Sequence, residues 1–542
     1  MAAKPVKISL NAAAFPFTYA YAEKTLLEFQ DAGPRMPGTF YGSRDNAEFG
    51  QPQLIFCENV LPHAKGIFSV SFGTQVAAVS PAVTVFDQAF PLRDAAENQY
   101  LFSPAGGANY VFDPITGVWA SVSPFAFANT LVTRAYVNGR TFICYEKSRI
   151  IEYNQGTGLF DTLSLTLPAG VTISDIRGIG GAANYLLFFT DITVYWCSPL
   201  NLLDFSNVDQ GAGNQTPIDI EGQITALLNC SGGFIIYSAR NAIGASFTNN
   251  AAAPFLFKKI QNCGGVPSWE QVTGNADDAA HYIWGTNGLQ KVTLTASEQM
   301  QPAATDFLAG NQTESWDEIN KVVVLNSTGA GISVKLTYLV GRYLIISYGQ
   351  NSGSLFDACL FFDTALNRWG KVVKQHCDVF MYPYPTLASS YFYSQLPGFY
   401  SDLGDATYAD LDSTRLTPIP AKRGIAFLQS NGQVDLLNTD LAQAGSAGVA
   451  IFGRIQSVRQ RAITILGITV DSIKSEGVTC TLLPSLADGT TRGVPITAPL
   501  ASSVGSAREF EPVETALNFD IVLEGTFVLN NMIANVKNHG SR

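Results

Sequence analysis

Phe112-Asp113-Pro114-Ile115-Thr116-Gly117-Val118-Trp119 decides the fold, because two other stretches repeat its pattern. They are Tyr153-Asn154-Gln155-Gly156-Thr157-Gly158-Leu159-Phe160 and Phe362-Asp363-Thr364-Ala365-Leu366-Asn367-Arg368-Trp369. Each reads aromatic, Asp or Asn, three residues, Gly or Asn, one residue, aromatic. An Asx side chain at Asp113, Asn154 or Asp363 accepts a backbone hydrogen bond two residues on and starts a turn. Gly117, Gly158 or Asn367 then takes the positive-φ position that closes a right-twisted hairpin. The flanking aromatics pack in the sheet. The first two copies lie 41 residues apart, the length of a four-stranded propeller blade. The expected fold is therefore all-β, a β-propeller of about six to eight blades.

Working outward, apolar strand pairs recur along residues 71–445. They lie at 110–112 with 118–119, 141–145 with 150–153, 185–189 with 193–196, and 234–237 with 243–247. Three more lie at 281–284 with 289–294, 343–348 with 359–362, and 425–428 with 434–437. Asn287-Gly288 and Asn431-Gly432 sit where two of these pairs turn, the strongest short hairpin signal. Residues 1–70 read as an extended arm with short strands and a possible helix over 21–31. Residues 446–542 lack the hairpin signature and read as a small β-domain, closed by strands from the arm.

An insertion over 378–420 carries Phe380, Tyr382, Tyr384, Tyr391, Phe392, Tyr393, Phe399 and Tyr400, then the acidic run Asp402, Asp405, Asp410 and Asp412. Two readings stay open. Tyr382, Tyr384, Tyr391, Tyr393 and Tyr400 belong to a protruding loop that contacts a partner, since Tyr-rich surfaces suit contact; or these aromatics are core strands of another blade.

Composition narrows function. Only 14% of the 542 residues are charged, and the net charge is −11. Such a chain grips nucleic acid poorly, because binding needs Lys and Arg against phosphate. No uninterrupted run of 18 apolar residues occurs, so no membrane span is expected. The N-terminal stretch from Lys4 to Ala22 imitates a signal peptide, but Asn11 and Pro16 interrupt it. The eight cysteines form no CxxC motif and several sit in apolar runs, as reduced buried thiols would.

Chemistry-bearing motifs are sparse. The four histidines show no two-His ligand spacing, and Asp277-Asp278-Ala279-Ala280-His281 reads as a polar loop before a strand. Neither GxSxG nor GxxxxGK[ST] occurs, and the glycine run Gly178-Ile179-Gly180-Gly181 lacks the following helix of a dinucleotide site. The Asp402–Asp412 run lacks the order of a calcium loop. No catalytic residue, cofactor or metal site is assigned.

Ile55-Phe56-Cys57-Glu58-Asn59-Val60-Leu61-Pro62 resembles the opening of the tail nozzle, or tail tubular protein B, of short-tailed bacteriophages. Tyr195-Trp196-Cys197-Ser198-Pro199-Leu200-Asn201-Leu202-Leu203-Asp204-Phe205, followed by Gly211-Ala212-Gly213-Asn214-Gln215, does too. So do residues 235–245 and Leu523-Glu524-Gly525. The resemblance implies a structural virion protein, not an enzyme, made in the host cytoplasm. It implies a homo-hexameric ring on the tail adaptor protein, carrying tail fibres, spikes or tip proteins. Phage DNA would pass through an acid-lined lumen during ejection without specific binding. The alternatives are a propeller adhesin that binds a host receptor or carbohydrate and, behind it, a propeller glycosidase.

Overall fold

The computed structural model describes residues 4–8, 53–63, 66–76, 86–93, 99–105, 108–113, 118–122, 131–154, 157, 159–248, 250, 253–274, 278–300, 308–309, 312–327, 332–339, 341–349, 355–382, 424–438, 448–456, 462–485, 493–502, 507–510, 514–516 and 518–538. Seven four-stranded antiparallel units follow one another. Six run continuously: blade I (90–121), blade II (132–162), blade III (178–215), blade IV (224–259), blade V (272–299) and blade VI (333–376). Blade VII takes three strands from 378–438 and its fourth, Ser71–Val76, from ahead of blade I. Within each blade the strands are lettered a to d in sheet order, and strand d of blade VII is the borrowed one.

The ring is closed by packing. Separate apolar cores lie between I and II around Phe102 and Tyr145, between II and III around Phe142 and Phe188, and between III and IV around Trp196 and Phe234. Others lie between IV and V around Tyr237 and Ile283, between V and VI around Tyr282 and Tyr338, and between VI and VII around Phe361 and Phe427. The seventh returns from VII to I, where Leu428 and Phe380 pack with Phe112 and Trp119. Each blade thus buries both faces, so its strands read as near-continuous apolar runs. Phe234–Ile235–Ile236–Tyr237 and Leu344–Ile345–Ile346 are wholly buried.

The three repeats occupy the same place, the c–d hairpin of blades I, II and VI. Their aromatics are directly opposed cross-strand partners: Phe112 with Trp119, Tyr153 with Phe160, and Phe362 with Trp369. The ring centroids lie 5.2, 5.2 and 4.7 Å apart, within the range of favourable aromatic pairs. The turn chemistry is clearest at Asp363, whose Oδ1 accepts from the backbone N–H groups of Ala365 and Leu366, while Asn367 stands at φ 53°. Asn154 Oδ1 accepts from Thr157 N. Asp113 ends strand c of blade I opposite Val118; Gly117 and Gly158 lie outside the described residues.

The glycine run has a packing cause. Gly178–Ala182 is strand a of blade III, pinched near the ring axis. A Cβ on Gly180 would come within 2.3 Å of Leu227 in blade IV, and one on Gly181 within 2.9 Å of the Tyr136 carbonyl in blade II.

The termini weave one further sheet. Ile463–Ser485 and Asn518–Asn538 form a long antiparallel ribbon. Lys4–Ile8 pairs with the end of its second strand, and Gly448–Gln456 pairs with the start. Gln53–Glu58 adds to Gly448–Gln456. Val60–Pro62 and Ile67–Ser69 join this platform to strand d of blade VI, giving one 15-stranded sheet. The hairpin Gln312–Asp317/Val322–Ser327 lies against it, where Trp316 Nε1 donates to Glu524 and Lys321 pairs with the same carboxylate.

Candidate functional site at the propeller axis

At its start the Tyr-rich segment follows the second of its two readings, core strand of a blade, and not the contact loop. Asp378–Met381 is strand a of blade VII, so the segment opens as a blade strand and not as an insertion. Tyr382 is buried, its ring 6.1 Å from that of Phe112 in the core between blades VII and I. It is thus removed from the contact surface, because an aromatic at the end of an inner strand fills the inter-blade space. Phe380 is buried in the same core. Tyr384, Tyr391, Tyr393 and Tyr400 lie outside the described residues, as do Asp402, Asp405, Asp410 and Asp412.

The histidines in the blades are structural. His281 is fully buried between blades V and IV; Nδ1 accepts from the Tyr237 hydroxyl at 3.0 Å, and Nε2 donates to the Asn229 carbonyl at 2.9 Å. His376 Nδ1 donates to the Lys374 carbonyl and Nε2 accepts from Ser347 Oγ. Burial pushes both down to about 4, so both are neutral at pH 7. Among the described residues no group of three or more His, Cys, Asp or Glu is placed to hold a metal. All eight cysteines are free and buried, and burial raises their thiols, Cys57, Cys144 and Cys263 to about 12.

Charge gathers instead at one mouth of the axis, where the d-to-a connections enter the inner strands. Lys335, the third residue of strand a in blade VI, is nearly buried, and its Nζ lies 2.9 Å from Asp378 Oδ1. Asp378 begins strand a of blade VII, and its Oδ2 accepts from Ala89 N ahead of blade I. One carboxylate therefore ties three blades. Burial alone would lower the Lys335 pKa, but Asp378 and Glu270 outweigh it and the ammonium is held charged.

From the opposite side comes the 3-10 turn Trp269–Gln271, between blades IV and V. Trp269 packs into the IV–V core and also reaches blade I, its ring 6.3 Å from that of Phe90. Arg134, third in strand a of blade II, places its guanidinium 5.8 Å from the Phe90 centroid. Arg134 keeps access to solvent, yet the enclosing protein lowers its pKa against the pull of Asp378. Residues from blades I, II, VI and VII and from the turn leading into blade V thus meet across the axis and span it with side chains.

Sequence reasoning passed over this group. Its signal was a charge inside an apolar strand: Thr133-Arg134-Ala135, Val334-Lys335-Leu336 and Cys377-Asp378-Val379. Convergence required knowing that these are all inner strands.

No protein-family model matches the chain, and no curated protein matches it in sequence. Among solved structures it is similar to the extracellular domain of a one-component system from B. thetaiotaomicron, at 8% identity and a TM-score of 0.37. That likeness covers 72% of this chain and 46% of the other, so the chain spans less than half the length of that protein.

Proposed function

We propose that this chain is a structural subunit of a short-tailed phage tail, a nozzle ring of six copies that passes the genome and carries adhesion proteins. The observation that carries the reading is the weld between platform and propeller. Lys371, buried in strand d of blade VI, approaches Glu58 Oε1 at 3.3 Å and stands over the Phe56 ring at 5.0 Å. Asn59 Oδ1 accepts from Val373 N, and Arg368 donates to the His63 carbonyl. Gly370 is needed there, since a Cβ would meet the Val60 carbonyl at 2.6 Å. The welding segment 55–62 is also one of the phrases on which the family resemblance rests. A subunit under load during ejection benefits from a propeller that does not swing on its base.

Charge distribution supports the same reading. Residues 71–445 hold 19 Lys or Arg and 30 Asp or Glu, whereas the flanking segments each balance. The whole net negative charge is thus on the propeller segment, which disfavours phosphate adhesion. With the propeller axis spanned by side chains, DNA would pass through the lumen of the ring and not through a subunit.

Quantitative mass spectrometry of purified virions tests this. A copy number half that of a dodecameric portal protein is expected. Absence from virions, or a count above the portal's, overturns it.

A further inference from the structure

We propose that Lys335 and Asp378 are a modification site, where the chain closes an isopeptide bond on itself between Lys335 Nζ and Asp378 Cγ and so ties blade VI to blade VII. This inference does not rest on the tail reading and survives its failure.

Nucleophile and electrophile are already in contact. Lys335 Nζ lies 2.9 Å from Asp378 Oδ1. Among the ion pairs of the described residues, this one alone has both side chains less than a tenth exposed. The Nζ atom is closed to water, and among the described residues it has no partner at hydrogen-bond geometry. Its approach to Oδ1 is therefore close but off the line of a hydrogen bond. An ammonium placed so lacks the bonds that would hold its protons. The carboxyl group, by contrast, is held at both oxygens: Oδ2 accepts from Ala89 N at 2.8 Å and Oδ1 from Val379 N at 2.9 Å. Fixed N–H donors of this kind polarise a carboxyl carbon and stabilise the oxyanion that attack creates. Both residues stand on inner strands of adjacent blades, each held by its strand neighbour, so the reacting atoms meet at little entropic cost.

The charged pair is the reactant. The ammonium gives up a proton and neutral Nζ attacks Cγ, forming the C–N bond. Negative charge then gathers on Oδ2, at the Ala89 N–H. The bond from Cγ to Oδ1 breaks, and Oδ1 leaves as water with two protons that came from Nζ. Oδ2 becomes the amide oxygen. One positive and one negative charge vanish together, nothing is oxidised or reduced, and no co-reactant is needed. Glu270 is the proton carrier between Nζ and Oδ1. It stands on the turn Trp269–Gln271, which packs against strand a of blade VI, and its charge acts on Lys335 beside that of Asp378. Exclusion of water at Nζ also removes the reagent that would hydrolyse the finished amide.

The test is the intact mass of the purified full chain, read under denaturing conditions, followed by tryptic mapping. The parent is expected to be lighter than its sequence requires by about 18 Da, one water. The digest should hold a branched peptide that joins Lys335 to Asp378. Lys335→Arg keeps the positive charge but lacks the nucleophile, and should show the full mass. Glu270→Gln, at a partly exposed position that tolerates the change, should slow closure at least about a hundredfold, so that freshly made chain keeps the full mass. A folded parent of full mass overturns the proposal. So does a deficit that either variant retains in full, or one that maps to other residues.

Discussion

Lys335 and Asp378 face each other across the boundary between blades VI and VII, 2.9 Å apart and each with a side chain only 7% exposed. The aspartate also accepts from the N–H groups of Ala89 and Val379. Its removal therefore strands a buried ammonium and two backbone donors. Asp378→Ala should destabilise the chain by about 3–5 kcal/mol, the usual cost of breaking a buried pair. Lys335→Met should cost less, because the carboxylate keeps its two N–H donors and the methionine fills the stem's volume. Denaturant titration of the two variants checks the order; equal losses would mean that the pair is not the seam between the blades.

Asp363 does two jobs that substitution separates. Its Oδ1 holds the turn, and both oxygens take the guanidinium of Arg342. Asp363→Asn keeps an acceptor for the turn and loses the ion pair, which is partly exposed at Arg342; about 1 kcal/mol is expected. Asp363→Ala loses both, and about 2–3 kcal/mol is expected. Thermal melts of the two variants read the ladder, and an Asn variant as damaged as the Ala one would refute the turn role.

The ring was legible because its signals are local. Each of the seven strand pairs read from apolar periodicity falls in a different blade, and the three aromatic repeats mark one hairpin position. Asn138-Gly139, which closes the a–b turn of blade II with both residues at positive φ, carried the same signal and was passed over. What was not legible depends on contacts remote in sequence. Ser71–Val76 completes a blade whose other strands begin about 300 residues later, and no periodicity reports that. Tyr382 reads equally as contact loop or as blade core until its place beside an inner strand is known. Arg134, Lys335 and Asp378 converge only once the ring is closed, so a site made of single residues from separate blades leaves no motif.

Closure of the ring by a borrowed strand makes Phe72 a sensitive position. It pairs with Leu437, packs edge-on against Phe427 at 5.3 Å and lies under Lys374. Phe72→Ala should cost about 2–3 kcal/mol, less than a fully buried phenylalanine because the side chain is half-exposed. Hydrogen exchange should accelerate first in Val434–Asn438, the strand it clasps. Uniform acceleration over all blades would show that the borrowed strand is no weaker a joint than the rest.

Thiol chemistry gives a count. All eight cysteines are buried and free, and burial holds their thiols protonated. In native buffer at pH 8 a disulfide reagent should titrate none, and in denaturant all eight. Fast native labelling of even one would contradict its placement in a core.

Acid should weaken the propeller before its carboxylates are protonated. His281 and His376 have folded pKa values of about 4 against an ordinary 6.5. Between those limits the unfolded chain binds protons that the folded chain refuses, so stability present above pH 6.5 is lost as pH falls toward 4. Linkage gives about 1.4 kcal/mol per pH unit for each histidine, and about 3 kcal/mol each by pH 4. His281→Gln, which offers one donor and one acceptor, should cost stability at pH 7 through imperfect bonds to Tyr237 and Asn229. It should also flatten the fall in melting temperature between pH 6.5 and 4.5, and His281→Gln with His376→Gln should flatten it further. A double variant with the same slope as the parent would place the acid sensitivity in other groups and mean that these imidazoles already take up protons in the folded chain.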